Sequence, residues 1–286
     1  MRPVLSDLIA LLGLERLDRD LFRGLSQDPG WGAIFGGQVL GQALSAAVQT
    51  ADPNRAVHSL HGYFLRAGDL DKPIIYSVDR LRDGKSFSAR RVVAVQEGEA
   101  IFSLAASFQV DEVGIEHQDA MPDVPDPDTL LSERDLGLSI ADRLPEPLRT
   151  MATAERPIEI RPVAPRDPLN RDPGEPRRRF WLRAIDALPD DASLHRYVLA
   201  YASDFSMAGA ALDPHGLSLV MGDAQLASLD HAMWFHRPFR VDEWLLHDVE
   251  SPSASGARGL VRGRFFDRQG RLVASTAQEA LIRRRR

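Results

Sequence analysis

The sequence predicts an α+β protein made of two copies of one unit, each a helix laid on an antiparallel sheet. Three observations lead there. Each half reads as a buried helix followed by four strands. A Pro- and Asp-rich stretch lies between the halves. Short residue sets also recur at a nearly constant spacing. Ser59-Leu60-His61 matches Leu229-Asp230-His231, putting His58 opposite Ser228. Ser88-Ala89-Arg90 matches Gly256-Ala257-Arg258, and Ser107-Phe108-Gln109 matches Thr276-Ala277-Gln278. Each copy alone leaves a sheet edge bare, so the halves are expected to pair into one continuous sheet.

The elements follow in order. Ser6-Asp7 caps a short helix to about Leu14, with Leu5, Ile9 and Leu12 near helical spacing. Leu21 to Leu25 is a short strand. Gly30-Trp31-Gly32 begins like a dinucleotide fingerprint, but the next glycine, Gly36, comes one residue late and no strand–turn–helix surrounds it. Phe35 to Ala47 is a helix with small residues on most sides, hence a buried one. Strands follow at Val57–Leu65, Ile74–Val78, Ser86–Gln96 and Ala100–Val110, with turns at Asp83-Gly84 and Glu97-Gly98. From Asp111 to about Arg156 Pro and Asp interrupt any sheet, with short helical stretches around Leu130 to Leu148. Pro162 to Arg177 is a second irregular piece. Then the order repeats: a strand at Arg179–Arg183 and a helix from Ser193 to about Ala211, with Asp190, Asp191 and Ser193 available as caps. Strands at Leu226–Phe235, Trp244–Ser251, Ala257–Phe266 and Leu272–Ile282 complete it. The expected division is 1–115, a linker over 116–156, and 157–286.

Composition narrows the function. The chain has 286 residues, 44% of them apolar, enough for a substantial core. A net charge of −6 argues against a general nucleic-acid binder, which needs clustered positive charge. There is no cysteine, so disulfides, Cys-ligated zinc, iron–sulfur clusters and cysteine nucleophiles are excluded. No apolar run is long enough for a membrane span, and the Leu8 to Leu14 run makes a poor signal peptide, so the expected compartment is the cytoplasm. Arg283 to Arg286 reads as a solvated tail.

The chemistry concentrates in the second half. In the helix beginning at Ser193, Leu194, Tyr197, Tyr201 and Phe205 form an apolar stripe, and Asp204 falls on its edge. A carboxylate facing a core is costly unless it is hydrogen-bonded by a neighbouring strand or functional. The stretch Gln225 to Phe239 interleaves Ser228, Asp230, His231 and His236 with large apolar groups, as a pocket wall or a self-satisfied central strand would. Gln278 lies in a strand of small residues, where an amide can donate and accept at once. A carboxylate, a hydroxyl and an amide together can hold one water and take its proton as it attacks. Gly36-Gly37, at the start of the first helix, offers backbone N–H groups either for close packing or for an oxyanion. No G-x-S-x-G elbow is present, and His231 and His236, five apart, face opposite sides of a strand. No metal or cofactor is expected.

Longer segments carry a resemblance. Phe35-Gly36-Gly37-Gln38, His61-Gly62-Tyr63-Phe64-Leu65-Arg66, Ser86 to Val92, Tyr201-Ala202-Ser203-Asp204, Leu229 to His236 and Ser253 to Gly259 resemble the acyl-CoA thioesterase II family, the TesB-type double hot-dog thioesterases, from about Leu5 to Ile282. The resemblance implies two hot-dog units and hydrolysis of acyl-CoA to free acid and CoA without an acyl-enzyme. It implies Asp204, Ser228 and Gln278 as the catalytic set, the serine standing where the family has Thr or Ser. It implies an acyl channel beside the second helix, arginines for the CoA phosphates, and a homo-oligomer, dimer or tetramer. The first half lacks the set: Gly37 lies nearest the position of Asp204, His58 replaces the serine, and only Gln109 is kept, giving one site per chain. An enoyl-CoA hydratase of similar fold would need a histidine five residues after the aspartate, where Gly209 stands. A non-catalytic acyl-CoA binding or sensing protein is the alternative, though a binder needs no aimed water.

Overall fold

The computed structural model describes residues 1–146, 148–167, 169–170, 172–219 and 222–285. In chain order they form α1 (Pro3–Leu12), β1 (Glu15–Asp18), β2 (Leu21–Gly24), α2 (Gly36–Val48), β3 (Arg55–Phe64), β4 (Ile74–Asp83), β5 (Phe87–Gln96), β6 (Glu99–Val110), α3 (Glu133–Ser139), α4 (Leu148–Thr153), β7 (Ile158–Pro162), β8 (Arg177–Ala184), α5 (Ala192–Ser203), β9 (Ala224–Ser228), β10 (Asp230–Phe235), β11 (Leu245–Ser255), β12 (Arg258–Asp267) and β13 (Leu272–Arg284).

The strands make one antiparallel sheet in the order β1-β2-β4-β5-β6-β3-β10-β13-β12-β11-β8-β7, with β9 also on β13. Read from the middle outward, the two halves repeat the same sequence of connections. The seam is β3 on β10, with His61 opposite Ala232 and Gly62 opposite His231. The halves therefore pair edge to edge as expected, and the fold is α+β, a double hot-dog that does not close into a barrel.

The helices α1, α2 and α5 pack together, with α2 laid on the sheet. Most of α2 is buried, and its polar side chains are satisfied. Gln42 donates to the Leu11 and Leu25 carbonyls and accepts from Tyr76 Oη at 2.7 Å. Gly37 and Gly41 face α5: a Cβ on Gly37 would collide with the Tyr201 carbonyl oxygen, and one on Gly41 would lie 3.2 Å from that of Tyr197. Helices from the two halves thus touch backbone to backbone. On the opposite face, the extended segment after β6 straps the second half. Met121 and Val124 pack on Trp181, Trp244, Leu246 and Phe266, and Trp181 Nε1 donates to Pro125 O at 3.0 Å.

Several elements differ from expectation. Pro3 occupies the first turn of α1, moving its start ahead of Ser6. β1 and β7 are short edge strands without a strong alternating pattern. α5 stops at Ser203, not Ala211, because Asp204 takes the cap and Ser206 adopts a left-handed φ of 59°. The strand expected over Leu226–Phe235 is two strands broken at Leu229. Arg283 and Arg284 pair with Gln225 and Ala224 inside the sheet, although exposed, and Arg286 lies outside the described residues. The match of Ser88-Ala89-Arg90 to Gly256-Ala257-Arg258 is not structural. Arg90 is a buried β5 side chain bound to Thr50 and Asp83, whereas Gly256-Ala257 is the turn before β12.

The helix contact carries a prediction. Gly37→Ala should cost roughly 1–3 kcal/mol, because backbone must move to admit the methyl. Gly41→Ala should cost less, since its nearest obstacle is the Leu12 side-chain end at 2.8 Å. The shift in the urea unfolding midpoint of each variant measures both.

Candidate active site

Asp204, Ser228 and Gln278 come from three elements and converge on one point. Asp204 caps the C-terminus of α5. Ser228 ends β9, and Gln278 lies in β13 beside it. Gln278 Nε2 donates to Ser228 Oγ at 2.6 Å and to Asp204 Oδ1 at 3.1 Å. Ser228 Oγ donates to the same Oδ1 at 3.4 Å.

The break at Leu229 makes this convergence possible. β10 pairs with β13 at Ala232 and Ala277, and β9 pairs with it at Ser228 and Ala280. The β9–β10 side therefore carries one residue more than β13 between those rungs, a β-bulge. Asp230 fills the irregularity: its Oδ1 accepts the Glu279 N–H at 2.6 Å. In a flat strand Ser228 and His231, three apart, would face opposite sides. Across the bulge both reach Gln278, His231 Nδ1 lying 3.0 Å from Oε1.

The first half supplies the other wall. The Gly37 N–H, in the first turn of α2, donates to the Asp204 carboxylate. A Cβ on Gly36 would sit 2.6 Å from Asp204 Oδ2, so only glycine lets the carboxylate approach this helix end. Phe35 and Phe205, next in sequence to Gly36 and Asp204, have ring centroids 4.5 Å apart, with Trp31 and Tyr201 edge-on to them. Phe35, Tyr201 and Phe205 line a cleft of mixed polarity with Leu8, Leu11, Gln38, Glu155 and Arg156.

These surroundings set the protonation states. Burial raises the Asp204 carboxyl from 3.8 to about 6, held back by the Gln278, Ser228 and Gly37 donors. Burial lowers His231 to about 4, so it is neutral at physiological pH.

The remaining candidates fall elsewhere. His58 bonds Ser107 Oγ at 2.8 Å, and Gln109 donates to Glu112, so the first half assembles no matching cluster. By position in the helix, the counterpart of Asp204 is the α2 cap Gln49, not Gly37. His236 turns to Ser275, away from His231. The sequence places His231 among the polar groups of the Gln225 to Phe239 stretch and argues against a metal site with His236, but does not reveal its contact with Gln278. The signal lay in His231 itself, a polar residue on the face otherwise held by Ala227, Leu229, Met233 and Phe235.

In this double hot-dog a carboxylate, a hydroxyl and an amide meet at one half-buried point, an arrangement with the chemistry to hold a water. The comparisons with known proteins are specific. Family models described as "Acyl-CoA thioesterase" and "Acyl-CoA thioesterase N-terminal domain" match residues 147–281 and 27–109. Acyl-CoA thioesterase 2 of Haemophilus influenzae is 44% identical over 283 residues, covering 99% of each chain. The crystal structure of an acyl-CoA thioesterase II from Mycobacterium marinum is 46% identical with a TM-score of 0.79, covering 97% of this chain and 98% of that one. A hot-dog protein from Alicyclobacillus acidocaldarius, 18% identical with a TM-score of 0.76, covers 98% of this chain and 99% of that one and shares the fold. The chain belongs to the acyl-CoA thioesterase family.

The raised Asp204 pKa predicts a pH-dependent stability cost. Below about pH 3 the carboxyl is neutral folded and unfolded alike, and the cost is absent. As pH rises from the unfolded value of 3.8 to the folded value of about 6, the unfolded chain ionises first and folded stability falls. Asp204→Asn should therefore match the native protein near pH 3 and exceed it at pH 8 by roughly 1–2 kcal/mol in urea unfolding.

Proposed function

We propose that Asp204, Ser228 and Gln278 hold the water that hydrolyses a fatty acyl-CoA thioester, with Asp204 as general base. The observation that carries this reading is the Gln278 amide, which donates to both Asp204 Oδ1 and Ser228 Oγ. A water accepted among these groups gives its proton to Asp204 as its oxygen attacks the thioester carbon. The C–S bond then breaks, and CoA leaves as the thiol once protonated. Because Gly37 N–H is engaged with Asp204, the Gly36 N–H at the start of α2 is the donor for the developing oxyanion. The acyl tail enters along the aromatic wall of Phe35, Tyr201 and Phe205 in the neighbouring cleft. No acyl-enzyme forms. A carboxyl near 6 suits this role, being ionised at neutral pH yet basic enough to accept a proton.

The same reading divides the chain into units at 1–115 and 157–286 with a linker over 116–156, and places one active site per chain, in the cytoplasm. A homo-oligomer, dimer or tetramer, accounts for exposed Tyr63, Leu81, Phe87, Val113 and Ile115. Light scattering should give two or four times the 31.7 kDa chain mass, and a monomer would contradict this part. Among the described residues no helix is long and apolar enough to cross a membrane.

The test of function is thiol release from a ladder of acyl-CoA chain lengths. The native protein should release thiol, and Asp204→Asn should lose roughly 100- to 10,000-fold in kcat. The native kcat/KM should fall tenfold per pH unit below about 6, where Asp204 becomes protonated, and level off above it. Tight binding without release at any length would replace the enzyme by a binding protein.

A further inference from the structure

His231 is the buried polar group that the water-aiming set leaves unused. It is fully enclosed, with Nδ1 3.0 Å from Gln278 Oε1 and Nε2 2.9 Å from Ser203 Oγ. An amide has nearly the same shape either way round, so its orientation is set by its partners. With Nε2 toward Asp204 and Ser228, Gln278 donates to both. Turned over, its oxygen would face an ionised carboxylate. The far side of the amide decides between the two.

We infer that His231 is a positioning residue, whose Nδ1–H holds Gln278 Oε1 and so locks the amide with Nε2 facing Asp204 and Ser228. The Ser203 hydroxyl, 2.9 Å from Nε2 and 2.8 Å from the Ala200 carbonyl, completes this arrangement when it gives its proton to Nε2. The line Ser203–His231–Gln278 then has one polarity, ending at the carboxylate. The opposite polarity would send the Ser203 hydroxyl to the Ala200 carbonyl, 2.8 Å away, and leave His231 Nδ1 without a proton for Gln278. The groups around the ring agree with a neutral imidazole. His247, on β11, is itself held neutral by burial at about 3 and stacks on Phe265 at 3.8 Å. Asp204 is reached only through Gln278. The bulge after Ser228 is what lets His231 and Ser228 grip opposite ends of the same amide. This inference rests on the proposed roles of Asp204, Ser228 and Gln278.

The experiment compares His231→Leu, His231→Asn, Ser203→Ala and Asp204→Asn with the native protein, reading kcat, KM and the acid limb of kcat/KM. His231→Leu frees the amide. Its kcat should fall roughly 10- to 100-fold with KM within about twofold. Its acid limb should move above the native position, because Asp204 loses a donor to its ionised form. His231→Asn keeps an N–H near the place of Nδ1 and should recover most of the rate and the native limb. Ser203→Ala should fall by less than His231→Leu, with the limb displaced the same way, and it carries the test if His231→Leu does not fold. Native kcat and an unmoved limb in His231→Leu and Ser203→Ala overturn the inference, as does equal loss in His231→Leu and His231→Asn with the limb unmoved. An active Asp204→Asn would instead sink the water-aiming reading itself, so the two failures are distinguishable.

Discussion

A carboxylate withdrawn from water must be surrounded by donors, and most of this architecture serves that need at Asp204. Its donors come from both halves: Gln278 and Ser228 from the second, the Gly37 N–H from the first. The first-half helix can bring that N–H close only because Gly36 and Gly37 carry no side chain. The backbone contact between α2 and α5 holds the two in register. Removing either half would leave the carboxylate with an incomplete set, which explains why two similar units are kept in one sheet.

The halves share topology but not chemistry. In the first, His58 turns to Ser107, Gln109 to Glu112, and the α2 cap is an amide. What remains is a wall: a helix end aimed at the partner half, and the aromatic Phe35 beside the cleft. Each half carries a β-bulge, the first at His58 in β3, but among the described residues it is the second half's bulge that brings a serine and a histidine three residues apart to one amide. The strap after β6 covers the outer face of that half, burying Trp181 and Trp244 and stiffening the strands behind the site.

Much of this was legible in the sequence. Element order and the recurring residue sets together revealed the duplication, each half repeating a buried helix and four strands. The convergence of Asp204, Ser228 and Gln278 followed from one carboxylate on an apolar stripe and two polar groups on strands of one unit. The details that failed are those set by tertiary contact. The end of α5 depends on where Asp204 finds its donors, which helical periodicity does not report. The break at Leu229 is a register slip against β13, invisible in one strand read alone. Three-residue matches such as Ser88-Ala89-Arg90 were too short to separate a strand from a turn. His231 was passed over because flat-strand alternation placed it on the wrong face.

The central claim is that water attacks the thioester directly and Asp204 accepts only a proton. A single turnover in oxygen-18 water, with enzyme in excess over acyl-CoA, tests it most directly. Direct attack predicts one solvent oxygen in the released acid, no acylated protein in the quenched mixture, and an unlabelled Asp204 peptide. Label in that peptide, a protein mass increased by the acyl group, or an unlabelled first-turnover acid would show that Asp204 forms a covalent intermediate.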